Sequence, residues 1–337
     1  RPLVIIKVYS SFAPSSQHTS MRIGLRFKLM KKVYCGLLVV ALFISACAPR
    51  VTAPPPSQPS QPSTNPMQPQ TPQQTPSTLT PTTTASSGCN KTPPGAPLAS
   101  ISVGGLERTF ITYIPANYDP QKSYPLIVAF HGRTNSNVQV REYFRLEQAM
   151  PEAIILYPSG LKDGGSFTWA NQGDDGNALR DYALFDELLR VTSFYYCVNP
   201  SRVFVVGHSL GAYFANSVAC ARAGVVRAVA SLAGGLQTFQ CRSAVASLLL
   251  HNPNDNLVAI SEGEKARDTF MAMDGVSRQG VAANGVLAEF NCTWYAGNSP
   301  VVWCPHGFST SYDGSYYPHT WPDKTAQAIA YFFSTLP

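Results

Sequence analysis

The first 88 residues of this 337-residue chain contain no aspartate or glutamate, although they hold eight of its 25 lysines and arginines. The formal charge of +6 belongs to this stretch, because residues 89–337 hold the remaining 17 basic residues against all 19 acidic ones, a balance of −2. A protein that binds nucleic acid needs a basic face on its folded domain. The charge distribution therefore argues against a nucleic-acid-binding function.

An apolar run long enough to cross a bilayer, about 20 residues, is also lacking in the basic N-terminal part. Its apolar run Val33–Ala46 has about fourteen residues, follows the basic Met30-Lys31-Lys32 and ends in small residues. That layout is typical of a secretory signal. Residues 1–20 precede the first methionine, Met21, and we leave them out of fold reasoning.

The last residues of this run, Ile44-Ser45-Ala46-Cys47, resemble the bacterial lipobox. The resemblance implies that the Cys47 thiol takes a diacylglyceryl group and becomes the mature N-terminus. An ordinary signal peptide with an incidental cysteine is the alternative. The next residue is Ala48 and not aspartate, which resembles the pattern of lipoproteins sorted to an outer membrane. We therefore assign 1–47 to upstream residues and a lipoprotein-type signal peptide, and expect an exported protein that is lipid-anchored at the cell envelope or secreted.

Residues 48–88 are rich in Pro, Ser, Thr and Gln and have almost no large apolar side chains. Fourteen of the 28 prolines lie between Pro49 and Pro97. Such a segment cannot form a core and is typical of an extended spacer. We predict a disordered linker over 48–88 that leads to one globular domain over 89–337.

Metal-binding cysteine spacings such as C-x-x-C are absent, so we expect no metal site. Six of the eight cysteines remain once Cys35 leaves with the signal and Cys47 is lipidated. An even number in an exported domain indicates disulfides, with free buried thiols as the alternative. The favoured pairs are Cys220–Cys241 and Cys292–Cys304, which leaves Cys89–Cys197.

Apolar runs of strand length alternate with longer helical patterns over residues 89–337. Strands are predicted at 99–103, 108–114, 125–130, 153–157, 202–206, 228–232, 247–251 and 300–304. Helices are predicted at 139–150, 178–194, 210–223, 261–274 and 323–334. The first two strands predict a hairpin. The strand–helix order that follows predicts an α/β fold with a mostly parallel sheet and helices on both faces.

The pentapeptide Gly207-His208-Ser209-Leu210-Gly211 matches the G-x-S-x-G pattern and lies between a predicted strand and a predicted helix. In that context the turn lifts the serine hydroxyl out of the sheet, at a helix N-terminus that favours negative charge. We predict Ser209 as a nucleophile. The N–H groups of Leu210 and of Arg133, which follows the strand 125–130, are predicted to hold an oxyanion. His131 is expected to be structural, and the His208 side chain to point away from the Ser209 hydroxyl.

A serine nucleophile needs a base and an acid that orients the base, and α/β-hydrolases place them after the serine in the order acid, histidine. Asp255 lies in the loop after strand 247–251 and is the predicted acid, with an Asx-turn cap as the alternative. Glu262 and Glu264 lie inside the next helical pattern and are poorer candidates. His306 and His319 both follow the last strand, so the residues alone leave the base open between them.

Four segments carry a resemblance to a known family: PLIVAFHG at 125–132, YCVNPSRVFVVGHSLGAYFANSVAC at 196–220, the Asp255 loop and PHTWP at 318–322. They resemble the secreted esterases that include feruloyl esterases and polyhydroxybutyrate depolymerase-like proteins, related to carbohydrate esterase family 1. The resemblance covers roughly 89–337 and implies an α/β-hydrolase fold and carboxylic-ester hydrolysis without a metal or organic cofactor. It favours His319, because the family histidine lies in a Gly-His-x-Trp-Pro motif, in which Pro318 replaces the glycine here. Leu210-Gly211-Ala212 departs from the Asn-Gly-Gly that often follows the family serine, so the subfamily stays open.

Aromatic residues in two loops predict the substrate pocket: Trp169 after strand 153–157, and Tyr312, Tyr316, Tyr317 and Trp321 around His319. Tyrosine and tryptophan can clamp a phenolic acyl group or a sugar ring, and ordinary surface packing is the alternative. We expect a monomeric serine esterase that acts on feruloyl or acetyl esters of plant cell-wall polysaccharide. A depolymerase acting on a polymeric ester such as polyhydroxybutyrate, and a non-catalytic surface-displayed binding lipoprotein, are the alternatives. Without a long lid or apolar interfacial helix, a lipase for long-chain lipids is disfavoured.

Overall fold

The computed structural model describes residues 85–169, 180–237, 241–311 and 313–337. The expected signal segment with Cys47, and most of the expected linker, lie outside these residues. The last residues before the predicted domain boundary are hydrogen-bonded to the domain, because Ser86 Oγ donates to the Tyr196 carbonyl at 2.9 Å and Gly88 N–H donates to the Ser193 carbonyl at 2.8 Å. No helix in the described part of the chain is long and apolar enough to cross a membrane.

The described residues form twelve strands and seven helices. The strands are β1 (Ser100–Val103), β2 (Leu106–Tyr113), β3 (Tyr124–Phe130), β4 (Ile154–Pro158), β5 (Leu161–Asp163), β6 (Ser166–Thr168), β7 (Val198–His208), β8 (Ala228–Leu232), β9 (Ala246–His251), β10 (Val281–Ala282), β11 (Thr293–Tyr295) and β12 (Val301–Pro305). The helices are α1 (Asn137–Phe144), α2 (Leu146–Ala149), α3 (Arg180–Tyr195), α4 (Leu210–Ala221), α5 (Ile260–Asp274), α6 (Val286–Glu289) and α7 (Thr325–Ser334).

Ten of these strands form one sheet in the order β1-β2-β4-β3-β7-β8-β9-β12-β11-β10. The six central strands, from β4 to β12 in that order, run parallel to one another. Antiparallel strands extend both edges, and β5 and β6 form a separate hairpin. The predicted α/β class with a mostly parallel sheet is confirmed.

Strand β3 shows why the central strands read as continuous apolar runs. Leu126, Val128 and Phe130 pack in the core cluster that includes α3, α4 and α5. Ile127 and Ala129 point to the other face and pack with α1, α2, α6 and α7. A strand whose alternate side chains are buried under different helices needs apolar residues at every position. Helices therefore cover both faces, as predicted.

The helix predicted at 139–150 is wrong in one respect, because the structure divides it into α1 and α2. Arg145 separates them in the left-handed conformation, with φ of 53°. This break turns the chain so that Phe144 and Leu146, two residues apart, are both buried. The short elements β5, β6, β10, β11 and α6 were not predicted, because two to four residues are too few to show a hydrophobic period.

Three disulfides join the six cysteines of the domain, and they are the pairs that the sequence favoured. The bridge Cys89–Cys197 spans 108 residues and ties the segment before β1 to the residue before β7. The second ties the last turn of α4 to the segment before β9, and the third ties the residue before β11 to β12. The bridges therefore link segments that flank the central strands.

Because the central strands are parallel, their carboxyl ends lie at one edge of the sheet, where α/β proteins place their ligand sites. Strand β3 leads there into the loop that contains Arg133, β7 into Ser209 and β9 into the loop of Asp255. Strand β12 leads into the segment that contains His319 before α7 begins. Four separate stretches of sequence thus meet at this edge.

Candidate active site

Ser209 occupies the turn between β7 and α4 with φ of 57° and ψ of −125°. A positive φ is a strained conformation for a residue with a side chain. It is held because Ser209 N–H donates to the Leu232 carbonyl at 3.0 Å, and because α4 starts at Leu210. The side chain of Ser209 stays partly exposed. The turn thus presents a hydroxyl at a helix N-terminus.

The two glycines of the pentapeptide are needed for space. A Cβ on Gly207 would overlap the Gly211 carbonyl, and a Cβ on Gly211 would overlap the Phe130 carbonyl of β3. Gly234, after β8, has the same constraint, because its Cβ would lie 2.5 Å from Ala212 Cβ. The sharp turn depends on this close approach of three backbone segments.

The loop after β3 lies directly against the turn. A Cβ added to Gly132 would be 3.3 Å from Ser209 Cβ. Arg133 follows, and its carbonyl accepts from Phe167 N–H at 3.0 Å, which fixes the loop. Among the described residues the Arg133 N–H has no hydrogen-bond acceptor, and Leu210 N–H, in the first turn of α4, has no intrahelical partner. Two backbone donors thus lie on segments next to Ser209.

His131, in the loop after β3, is a buried and neutral side chain. His131 Nδ1 donates to the Gly132 carbonyl at 2.8 Å, and its Nε2 accepts from Gly160 N–H at 2.9 Å. Burial lowers the pKa of His131 to about 4. The ring is fully used in holding the loop before Arg133, which is the structural role expected for it.

Asp255 and His319 form a direct contact, with 2.6 Å between Oδ2 and Nδ1. Oδ1 of Asp255 accepts from the N–H groups of Leu257 at 2.8 Å and Val258 at 3.0 Å, so the carboxylate also closes an Asx turn. Burial acts to raise the pKa of Asp255, but the hydrogen bonds from His319, Val258 and Leu257 outweigh it and the pKa lies below its ordinary value. An ionised carboxylate only accepts, so His319 Nδ1 carries the proton. The free Nε2 is then able to accept one.

His306, the other histidine after β12, is not in this contact. Its ring is fully buried between Phe290 and Phe308, with both ring centroids 5.9 Å away. Neither ring nitrogen has a hydrogen-bond partner among the described residues. Burial lowers the pKa of His306 to about 4. The structure therefore brings His319, and not His306, to Asp255.

We expect His306→Leu to weaken the acid sensitivity of the fold without changing ester hydrolysis. The unfolded chain takes up this proton below about pH 6.5, and the folded chain only near pH 4. The unfolded state therefore binds more protons in that window, and stability falls as the pH falls through it. Between pH 7 and pH 5 the free energy of unfolding should fall by about 2 kcal/mol less in the variant. Urea unfolding at both pH values measures this, and an unchanged pH dependence or a loss of activity would contradict it.

Trp169 is a correction, because it is not placed to contact a substrate. The residue is 2% exposed, and its indole stacks on Phe214 with centroids 5.3 Å apart. Its Nε1–H donates to the His131 carbonyl at 2.8 Å. A tryptophan in a Gly- and Asp-rich segment was expected at the surface, but here the ring packs between His131 and Phe214. Trp169 thus fixes the loop that leads to Arg133.

Trp321 is partly buried, and its ring stacks face to face on Phe144 of α1, with centroids 3.8 Å apart. It packs against the core cluster on that side of the sheet. Its contact with substrate stays a prediction. Tyr317, in contrast, is 41% exposed, and its ring centroid lies 5.9 Å from that of His319. Of the three residues expected to contact substrate, Tyr317 is the one that exposes its ring beside His319.

The structure adds apolar side chains to this exposed rim. Leu257 is 63% exposed directly after the Asp255 turn, Phe308 is 39% exposed, and Tyr316 is 72% exposed. A backbone hydrogen bond of 2.7 Å from Tyr317 N–H to Ser309 joins the two aromatic stretches. We call Leu257, Phe308, Tyr316 and Tyr317 the aromatic rim. Leu257 and Phe308 were not predicted from the sequence. A signal was available for Phe308, because residues 305–322 carry a single acidic side chain and no Lys or Arg.

No cluster of three or more His, Cys, Asp or Glu arranged to hold a metal occurs in the described ranges. The arrangement instead combines a hydroxyl on a strained turn, an imidazole oriented by a carboxylate and two backbone donors. These are the parts that acyl transfer requires.

The Esterase family model matches residues 102–305. Feruloyl esterase D of Neurospora crassa is 29% identical over 244 residues, which cover 66% of this chain and 81% of that protein. Feruloyl esterase C of Emericella nidulans is 31% identical over 201 residues, covering 56% of this chain and 69% of that protein. Poly(3-hydroxyalkanoate) depolymerase C of Paucimonas lemoignei is 27% identical over 161 residues, covering 45% of this chain and 37% of that protein.

Among solved structures, a thermostable esterase matches with a TM-score of 0.52 and 17% identity, covering 70% of this chain and 62% of that one. At this identity the match shows the fold, and the predicted α/β-hydrolase architecture is confirmed. The family model spans more than half of the chain. The chain therefore belongs to the Esterase family and is a carboxylic ester hydrolase.

Proposed function

We propose that this protein hydrolyses esters through an acyl-enzyme on Ser209, with His319 as the base and Asp255 as the acid that orients it. The observation that carries the proposal is the 2.6 Å contact between Asp255 Oδ2 and His319 Nδ1. The carbonyl of His319 is in turn 3.0 Å from Nε2 of His208, the residue before Ser209. This contact supports the proposal, because it joins the backbone of His319 to the residue that precedes Ser209.

The reaction takes two steps. His319 Nε2 removes the proton from Ser209 Oγ, which attacks the ester carbonyl, and the N–H groups of Leu210 and Arg133 stabilise the oxyanion. The bond to the alcohol breaks and the alcohol leaves with the proton from His319. Water then gives a proton to His319 and attacks the acyl group, which releases the acid and restores Ser209. Asp255 stabilises the positive imidazolium in both steps.

Feruloyl esters of plant polysaccharide are the substrate class that we favour. The two feruloyl esterases named above support it, and so does the aromatic rim, because a phenolic ring can stack on exposed tyrosine or phenylalanine faces. The second candidate is a polyester such as a polyhydroxyalkanoate. The match to a depolymerase and the exposed Leu257 and Tyr316 favour it, because an uncharged polymer surface would contact such side chains.

A fluorophosphonate probe tests the mechanism. The full chain should lose activity as one probe molecule reacts with Ser209, identified by peptide mass spectrometry. An unmodified Ser209 in the folded protein would favour a non-catalytic binding lipoprotein. Initial rates on methyl ferulate, acetylated xylan and polyhydroxybutyrate then separate the substrate classes, since hydrolysis of the polyester alone would overturn the feruloyl assignment.

We expect Tyr317→Ser to raise KM for methyl ferulate about 5-fold and to change KM for ethyl acetate less than about 2-fold, because an aromatic contact contributes about 0.5–1.5 kcal/mol. Tyr331 of α7 is the matched control. It is 40% exposed and lines a cleft with Val281 of β10 and Trp294 of β11. Steady-state kinetics measure both constants. Equal changes for the two esters, or the same effect in Tyr331→Ser, would contradict the stacking role.

Export and anchoring through Cys47 complete the proposal, with residues 48–88 as the spacer. The three disulfides support an exported location, because such bonds persist in oxidising compartments. Cells that express the chain should incorporate labelled palmitate into it, and Cys47→Ala should abolish the label. Release of unlabelled protein from wild-type cells would favour the ordinary signal peptide instead.

A further inference from the structure

His208, the residue before Ser209, is 6% exposed, and both of its ring nitrogens have hydrogen-bond partners. Nε2 lies 3.0 Å from the carbonyl oxygen of His319, and Nδ1 lies 3.0 Å from the hydroxyl of Tyr143 in α1. The imidazole of His208 has no role in the acyl-transfer steps proposed for Ser209 and His319. Its contacts nevertheless connect the turn that bears Ser209 to the segment that bears His319.

The chemistry of the partners determines where the protons of this ring lie. A carbonyl oxygen only accepts, so His208 Nε2 carries the hydrogen. Burial lowers the pKa of His208 to about 3, which keeps the ring neutral at the pH of most esterase reactions. Nδ1 is then an acceptor, and the Tyr143 hydroxyl donates to it. The carbonyl of His319 thus fixes the tautomer of His208, and the tyrosine satisfies the remaining ring nitrogen.

The segment that contains His319 needs such support. β12 ends at Pro305 and α7 begins at Thr325, and no helix or longer strand is present among the described residues between them. Asp255 fixes the ring of His319 from one side. The backbone of His319 is fixed from the other side by His208, and the stack of Trp321 on Phe144 holds the next turn against α1.

We propose that His208 is a positioning residue that fixes the His319 backbone relative to Ser209 through its Nε2–H, while the Tyr143 hydroxyl satisfies Nδ1. The inference rests on the proposed role of His319 as base. His208 itself does not reach the reacting atoms, because both ring nitrogens are engaged elsewhere. It acts through the relative position of His319 and Ser209, since a displacement of about 1 Å between reacting groups can cost about 100-fold in rate.

Two substitutions at position 208 separate positioning from bulk packing. His208→Gln keeps a buried amide whose N–H can lie where Nε2–H lies, whereas His208→Leu fills similar space without a donor. We expect kcat to fall about 10- to 100-fold in His208→Leu with KM changed less than about 3-fold, and to recover to within about 5-fold of wild type in His208→Gln. The rate constant for fluorophosphonate labelling of Ser209 should follow kcat, because it depends on the same base.

Equal labelling rates in wild type and folded His208→Leu, or equal losses in the Leu and Gln variants, would overturn the proposal. If neither variant folds, wild-type protein with ¹⁵N-labelled histidine decides it by NMR. His208 should be the neutral Nε2–H tautomer from about pH 5 to pH 8, and an Nδ1–H tautomer or a charged ring would overturn the assignment.

The same experiment distinguishes this inference from the proposed function. His319→Ala removes the base, and Ser209 labelling should fall at least about 10³-fold in it. Loss of labelling in His319→Ala with wild-type labelling in His208→Leu would refute the positioning role alone. Retained labelling in His319→Ala would refute the base itself.

Discussion

Ser209→Ala should lower kcat for a soluble aryl ester by about 10⁴-fold or more while the protein stays folded. Without Oγ no acyl-enzyme can form, and only substrate binding and the backbone donors of Leu210 and Arg133 remain. Alanine keeps a Cβ, so the left-handed turn between β7 and α4 has the same backbone strain as in the wild type. Stopped assays with high enzyme concentration measure the residual rate.

Ser217→Ala is the matched control for this substitution. Ser217 lies on α4, the helix that begins directly after Ser209. It is fully buried, and its hydroxyl has no hydrogen-bond partner among the described residues. Removing it should leave kcat within about 2-fold of wild type, because no bond is lost. Activity of Ser209→Ala within tenfold of wild type, a difference of about 1.4 kcal/mol, would be too small for a nucleophile and would refute the assignment.

Asp255→Asn should lower kcat by about 10³- to 10⁴-fold with little change in the fold. The asparagine carbonyl can still accept from Leu257 and Val258 N–H, as Oδ1 does now. Its NH₂ then faces His319 Nδ1, which must become an acceptor. The proton moves to Nε2, so the imidazole points a hydrogen at Ser209 and cannot take the proton of the hydroxyl. The charge that stabilises the imidazolium is lost as well.

Glu264→Gln is the control for this second substitution, because Glu264 is a nearby carboxylate on α5 that was a poorer candidate for the acid. It should hydrolyse the ester at the wild-type rate. Thermal unfolding of both variants checks that the fold is intact. An Asp255→Asn enzyme that keeps more than about a tenth of wild-type kcat would show that another group orients His319.

Much of this architecture was readable from local pattern. The alternation of buried strands with amphipathic helices predicted the sheet, and the pentapeptide between β7 and α4 predicted the strained turn at Ser209. The break at Arg145 was not readable, because nothing in the helical period of 139–150 shows that Phe144 and Leu146 both need burial. Local pattern describes elements well and describes their interruptions poorly.

The site was less readable, because its contacts join distant residues. His306 and His319 both lie between β12 and α7. The residue pattern left the base open between them, the family resemblance favoured His319, and the folded chain brings His319 to Asp255. Trp169 was misplaced for the same reason, since its partners Phe214 and His131 lie 45 and 38 residues away in the chain. The bond between His208 and His319 spans 111 residues, and no local signal could have indicated it.

The side chains of the aromatic rim take no part in the hydrogen bonds that hold Asp255 and His319. Leu257 and Tyr316 project outward from turns whose backbone bonds do not depend on their side chains, whereas Asp255 and His319 are buried and bonded to each other. Substitutions on the rim can therefore accumulate without disturbing the buried pair. A lineage built on this scaffold is free to exchange one ester for another by drift at the surface, while selection for turnover acts on an interior that hardly changes.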